Sequence, residues 1–295
     1  MCRWEVIALR SELILHANDV QLCAETFGEP GDPPILLIMG RGASMDWWPD
    51  EFCERLAAGS RFVVRYDHRD TGRSVCSPPG EPGYTERDLV NDPVGLLDAL
   101  GVDRAHLAGF SAGGALAQLV ALDHPDRVAS LALISTTFAD RALSGLPGMS
   151  PDLADRLAIP TPDWSSRADV IDYLVEQQRA TVSGSAPFDE EDIRGIAGRM
   201  FDRSTDIEAA VTNHDLVEQG DPPGRRLEEL AVPTVVIHGL DDPLFPVEHG
   251  RALAETIPST ELLVLPEVGH ELPRRSWGLV VPAILAGSSA SARPA

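Results

Sequence analysis

Short apolar runs at residues 35–39, 62–66, 106–108, 131–134, 235–238 and 261–265 restrict this chain more than any other feature. Each is about the length of a strand, apolar almost throughout, and bounded by Gly, Pro or Asp. Strands without polar alternation are buried on both faces, as in a parallel sheet. Helical patterns lie between them. Residues 89–100 are amphipathic and end at Gly101; 113–123 are rich in Ala and Leu and stop before Pro125; 248–257 end at Pro258. This alternation predicts an α/β fold, with βαβ units around one mostly parallel sheet. Residues 5–15 and 20–26 predict an antiparallel opening pair that turns at Ala17-Asn18-Asp19.

From 138 to 230 the rhythm breaks. The stretch is rich in Pro and Gly, with helical patterns at 168–181, 190–201 and 207–216 and no convincing strand. It is too long for an ordinary loop. It is expected to be a helical cap set into a core of residues 1–137 and 231–286, with 287–295 a loose tail.

The chain's 295 residues suffice for one large α/β domain carrying such an insertion. Its net charge of -22 repels nucleic-acid phosphates and acidic membrane surfaces, so neither is an expected partner. Cys2, Cys23, Cys53 and Cys76 form no C-x-x-C pair and no metal-ligand spacing. They read as thiols of a cytoplasmic protein rather than a disulfide framework. The N-terminus lacks the pattern of a signal peptide, and no apolar run approaches a membrane span. No cofactor or metal is expected, and the oligomeric state is left open.

The strongest chemical signal is Gly109-Phe110-Ser111-Ala112-Gly113. It follows an apolar strand and opens an Ala-rich helix, the context in which G-x-S-x-G forms a nucleophile elbow. The chain must turn sharply there and hold the serine in a strained conformation, with its hydroxyl lifted clear of the sheet. A serine hydroxyl needs a positioned base. His270, in Pro266-Glu267-Val268-Gly269-His270 just after the last strand, is the candidate. The acid should follow an earlier strand. Asp242 is chosen because Pro243 fixes a turn behind it; Asp241 is the alternative and Asp140 a distant third. The remaining histidines, His16, His68, His106, His124, His214, His238 and His249, read as structural or neutral. A tetrahedral intermediate also needs backbone donors. Ala112 is one, and Arg41, in the Gly-rich loop Gly40-Arg41-Gly42 after the strand at 35–39, is the other. Gly40, Trp47, Trp48, Phe110, Phe138, Leu244 and Phe245 are candidate pocket residues, although both indoles suit a core equally well. Asp67, His68 and Asp70 alternate with arginines and suit a salt-bridged turn better than a metal site.

Taken together, L-L-I-M-G-R-G, Y-D-H-R-D-T-G-R-S, G-F-S-A-G-G, A-L-D-H-P-D-R-V, H-G-L-D-D-P-L-F-P and E-V-G-H resemble a bacterial α/β-hydrolase. Residues 48–57, 66–74, 186–191 and 242–250 are similar to the aclacinomycin methylesterase group. The resemblance implies an eight-stranded, mostly parallel sheet with a helical cap, a triad of Ser111, Asp242 and His270, and oxyanion donors at Arg41 and Ala112. It also implies hydrolysis of a methyl ester on a large polyketide-like molecule. Arg41 stands where that group tends to have a small residue, and Met39 where many α/β-hydrolases have histidine.

The expected function is therefore cofactor-free hydrolysis of a carboxylic ester, methyl esters included, on a bulky apolar or polyketide-like small molecule through an acyl-enzyme. The same motifs would serve a proline-iminopeptidase-type aminopeptidase, a perhydrolase or haloperoxidase, or a carbon–carbon bond hydrolase. A receptor that keeps the triad for ligand sensing is the rival outside enzymes.

Overall fold

The computed structural model describes residues 11–139, 145–220 and 226–289. Residues 5–10 of the expected opening strand, Cys2, Asp140 and residues 290–295 lie outside them. The strands are β1 (Ser11–Ala17), β2 (Val20–Phe27), β3 (Pro34–Ile38), β4 (Phe62–Tyr66), β5 (Ala105–Phe110), β6 (Val128–Ile134), β7 (Thr234–Gly239) and β8 (Thr260–Leu265). They form one sheet in the order β1-β2-β4-β3-β5-β6-β7-β8. β1 and β2 are antiparallel to each other, β2 is antiparallel to β4, and every later pairing is parallel. Asn18 and Asp19 join the opening hairpin with φ of 49° and 62°, the left-handed pair that a tight two-residue turn requires.

The runs without polar alternation are buried on both sides, as their composition demands. Leu36, Ile38, Val64, Leu107 and Leu133 face one core with the helices α2 (Glu86–Ala99) and α3 (Ala112–Asp123). Ile35, Leu37, Val63, Ala108 and Ile134 face the other, with α1 (Asp50–Ala57) and the C-terminal helix, Trp277–Ser289. That last helix is apolar on all sides, so it lacks the period that marks a helix in sequence. Its final turn contains Gly287 and Ser288, read above as the start of the tail; Arg61 Nε donates to Ser288 Oγ at 2.9 Å and holds that turn.

Between β6 and β7 the chain forms α4 (Leu153–Arg156), α5 (Arg167–Thr181), α6 (Glu190–Arg203) and α7 (Ile207–Thr212). Side chains of Ser166, Asp189 and Asp206 accept N–H groups of the first turns of α5, α6 and α7. Val170, Leu174, Val175, Ala197 and Met200 give these helices a small core of their own. The helix expected at 207–216 stops at Thr212 and continues as a single 3-10 turn, Asn213–Asp215. Asn213 and His214 are drawn there into bonds with loops of the sheet. After β7 come α8 (Glu248–Thr256) and α9, the C-terminal helix already described. Among the described residues no helix is long and apolar enough to cross a membrane.

Candidate active site

Ser111 sits at the carboxyl end of β5 with φ of 55° and ψ of -123°. Such a conformation costs a non-glycine residue about 1–3 kcal/mol and persists only where its surroundings hold it. Here the Ser111 N–H donates to Ile134 O at 2.9 Å, and its carbonyl accepts from Gly114 N at 2.9 Å and Thr136 Oγ1 at 2.7 Å. Gly113 permits the closeness of the turn. A β-carbon on it would lie 2.2 Å from Ile38 O, so α3 can start against β3 only with glycine there.

His270 follows β8 and Asp242 follows β7. His270 Nε2 lies 2.9 Å from Ser111 Oγ, and His270 Nδ1 lies 2.9 Å from Asp242 Oδ2. An imidazole protonated on Nδ1 donates to the carboxylate and accepts the serine hydroxyl. The rest of the Asp242 carboxylate is also engaged: Oδ1 accepts the N–H groups of Leu244 at 2.9 Å and Phe245 at 2.8 Å. Sequence reading missed these two donors, although Asp followed by Pro is the local signal for such a turn. Asp241 turns away, accepting hydroxyls of Ser183 and Ser185 at 2.6 and 2.7 Å. His238 lies beneath Asp242. Its Nε2–H donates to Phe245 O at 2.7 Å, and burial depresses its pKa, keeping it neutral. The rings of Phe110 and Phe245 flank His270, with centroids 5.2 and 5.6 Å away.

The loop after β3 faces the serine. A β-carbon on Gly40 would stand 3.2 Å from Ser111 Cβ. The Arg41 and Ala112 N–H groups have no protein acceptor among the described residues, which suits donors held for a ligand oxygen. The Arg41 side chain pairs with Asp215 at the cavity wall.

A cavity of about 810 Å³ opens over Ser111 and His270. Of the pocket residues proposed from sequence, Gly40, Trp47, Phe110 and Leu244 line it, together with Tyr173, Phe188, Ile196 and Met200 of the β6–β7 connection. Trp48, Phe138 and Phe245 do not line it. The 3-10 turn Met45–Trp47 sends the two adjacent indoles apart: Trp47 donates to Met200 Sδ, while Trp48 is fully buried and stacks on Phe52 at 5.5 Å. Phe138 packs into the core beside α2 and α3. Phe245 is turned onto His249 and His270 instead.

The segment Asp67–Asp70 braces loops. Asp67 accepts N–H groups of Met45 at 2.8 Å and Arg73 at 3.1 Å and pairs with Arg203 at 2.8 Å. Arg69 grips the buried Asp92 with two bonds of 2.8 Å. Asp70 accepts Tyr84 Oη at 2.7 Å and Asn213 Nδ2 at 2.8 Å. Among the described residues no group of His, Cys, Asp and Glu is arranged to hold a metal ion. His214, read from sequence as structural or neutral, is half-buried behind the Arg41 loop. Its Nδ1 accepts the Gly42 N–H at 3.0 Å and its Nε2–H donates to Arg69 O at 2.8 Å.

A family model described as the alpha/beta hydrolase fold matches residues 33–273. The chain is 31% identical over 274 residues to the rhodomycin D methylesterase DauP of Streptomyces sp. (strain C5), covering 88% of this chain and 92% of that protein. It is 31% identical over 270 residues to the rhodomycin D methylesterase DnrP of Streptomyces peucetius, covering 87% and 91%. Among solved structures, an esterase from Exiguobacterium antarcticum superposes with a TM-score of 0.75 at 18% identity, over 95% of this chain and all of that one. At that identity the likeness concerns the fold alone.

Proposed function

This chain belongs to the α/β-hydrolase fold family and is a hydrolase of ester bonds, and from that premise we propose that it is a cofactor-free serine carboxylesterase with Ser111 as nucleophile. The observation that carries the reading is the continuous line from Ser111 Oγ through His270 to Asp242, with 2.9 Å at each step, at the floor of a large cavity.

Ser111 Oγ attacks the ester carbonyl as His270 Nε2 takes its proton. Asp242 steadies the imidazolium that results. The Arg41 and Ala112 N–H groups bind the oxyanion of the tetrahedral intermediate. The alcohol leaves with the proton from His270, giving an acyl-serine. Water, deprotonated by the same imidazole, then releases the acid and restores Ser111.

A cavity of about 810 Å³, with Trp47, Phe110, Phe188 and Ile196 in a wall that also carries charged side chains, suits a bulky, largely apolar acyl group rather than a short chain. With two rhodomycin D methylesterases among the relatives, the substrate class proposed is a carboxylic ester, methyl esters included, of a polyketide-like small molecule. Residues 138–230 then act as a cap over a core of 1–137 and 231–286. An aminopeptidase would need an acid to hold the substrate amine. Among the described residues each acid of the cavity wall is engaged: Asp189 with the Asp192 N–H, Asp192 with Arg274, Asp215 with Arg41, and Glu271 with Arg275.

A fluorophosphonate probe should label the protein and fail to label Ser111→Ala. Methyl esters of fused-ring aromatic acids should turn over faster than p-nitrophenyl acetate, relative to their uncatalysed rates. An unlabelled wild-type protein would sink the serine reading; exclusive cleavage of prolyl arylamides would sink the ester reading.

A further inference from the structure

An oxyanion donor is effective only if its peptide plane is fixed before the reaction, so that no reorientation is required when charge develops. The Arg41 N–H belongs to the plane shared with Gly40. The carbonyl of that plane, Gly40 O, accepts the Ala43 N–H at 3.3 Å, a long bond that leaves the plane weakly held by itself. The flanking planes are therefore decisive. On one side His68 Nε2–H donates to Met39 O at 3.0 Å. On the other the Gly42 N–H donates to His214 Nδ1 at 3.0 Å. Gly42 has φ of 69°, and a β-carbon there would lie 3.2 and 3.3 Å from the carbonyl oxygens of Ala210 and Val211, so α7 presses on the same loop.

The chemistry of His214 is set by its two partners. A nitrogen that accepts an N–H cannot carry a proton, so Nδ1 is bare and Nε2 holds the hydrogen it donates to Arg69 O at 2.8 Å. The ring is thus a single neutral tautomer, linking the loop after β3 to the loop after β4. Its neighbours keep it there. Asn213 Nδ2 donates to Asp70 Oδ2 at 2.8 Å and Pro78 O at 3.1 Å, and Asn213 Oδ1 accepts the Gly80 N–H at 2.7 Å. Asp215 pairs with Arg41 itself. Three successive residues of the β6–β7 connection therefore dock on the sheet's loops, each through its side chain.

We propose that His214 is a positioning residue for the oxyanion hole: by accepting the Gly42 N–H it fixes the backbone that aims the Arg41 N–H at the substrate oxygen. The inference rests on the serine reading above. It places part of the reaction machinery in the segment that also forms the cavity wall.

Variants at 214 separate the acceptor from mere packing. In His214→Asn the side-chain oxygen takes the place of Nδ1 and keeps an acceptor for Gly42. In His214→Gln the amide nitrogen takes the place of Nε2 and keeps the donor to Arg69 O. His214→Phe keeps neither. With a p-nitrophenyl ester as substrate, His214→Phe and His214→Gln should each lose about 10–100-fold in kcat, a fraction of the loss that follows complete removal of a donor. KM should stay within about threefold, and His214→Asn should recover most of kcat. Affinity for an aryl trifluoromethyl ketone, which places an oxyanion in the same position, should fall in the same order. Equal losses in the Asn and Gln variants, wild-type kcat in all of them, or losses that follow the melting temperature would overturn the proposal. Ser111→Ala is measured alongside. If it retains turnover, the serine reading falls and this inference with it; if it is inactive while the His214 variants fail to separate, the inference alone falls.

Discussion

Asp242 presents one carboxylate oxygen to His270 at 2.9 Å while its other oxygen is held by two backbone N–H groups. This division makes the amide variant informative. In Asp242→Asn the amide oxygen takes the Leu244 and Phe245 N–H groups, so the NH2 faces His270 Nδ1. That nitrogen must then accept, the proton moves to Nε2, and the imidazole can no longer take a proton from Ser111. kcat should fall by about 10⁴-fold with little change in melting temperature. Asp241→Asn should leave kcat within about threefold of wild type, because Asp241 bonds only to Ser183 and Ser185 among the described side chains. Steady-state kinetics and a thermal melt of both variants check the pair; comparable losses in the two would reverse the assignment.

The close approach at the elbow gives a stability prediction. A β-carbon 2.2 Å from Ile38 O cannot be accommodated without parting α3 from β3. Gly113→Ala should cost about 3 kcal/mol or more and lower the melting temperature by roughly 5–10 °C. Calorimetry would show it, and an unchanged melting curve would contradict this packing.

The adjacent indoles should behave oppositely. Trp48→Ala removes a fully buried ring stacked on Phe52 and should cost about 3–5 kcal/mol. Trp47→Ala opens the cavity wall and should raise KM for a fused-ring methyl ester about 10-fold, with a smaller effect on stability. Chemical denaturation and a KM comparison distinguish them.

Acid sensitivity follows from buried histidines. Burial pushes the pKa of His106 down to about 4, helped by Arg61 and Arg104, and that of His68 down to about 3. The native state keeps these rings neutral, whereas the unfolded chain protonates them below about pH 6.5. Between pH 6.5 and 4 unfolding therefore takes up a proton at His106. The stabilisation is complete above pH 6.5 and is lost as pH falls, by up to about 1.4 kcal/mol per unit. Burial raises the carboxyl pKa of Asp67 and Asp92, which act in the opposite sense, so the measurement is a difference between proteins. From pH 7.5 to 5, wild type should lose up to about 2 kcal/mol more than His106→Asn in urea melts. A parallel pH dependence in both would remove His106 from the account.

The parts of this molecule legible in sequence are those whose constraint is local. Buried parallel strands announce themselves because both faces are apolar. The elbow at Ser111 does so because a strand, a tight turn and a helix must succeed one another within a few residues. α9 was hidden because a helix apolar on every side has no period. Which of Trp47 and Trp48 faces the cavity depends on a single 3-10 turn, which their shared identity cannot reveal. His214 was unreadable for a different reason: the amide it accepts belongs to a residue 172 positions earlier, and nothing beside it in the chain marks the partnership.

The connection between β6 and β7 touches the sheet's loops at separate anchors. The Thr181 carbonyl accepts the His270 N–H, and Ser183 and Ser185 hold Asp241. Arg203 pairs with Asp46 and Asp67, and the Asn213–Asp215 turn braces the β3 loop. Between these anchors α6 is joined to the core side by the Asp192–Arg274 ion pair and the Trp47–Met200 contact. A chimaera built to accept a foreign substrate should therefore be spliced within residues 186–202. Seams at the ends of β6 and β7 would exchange the wall, but would also discard the struts that aim the reaction centre.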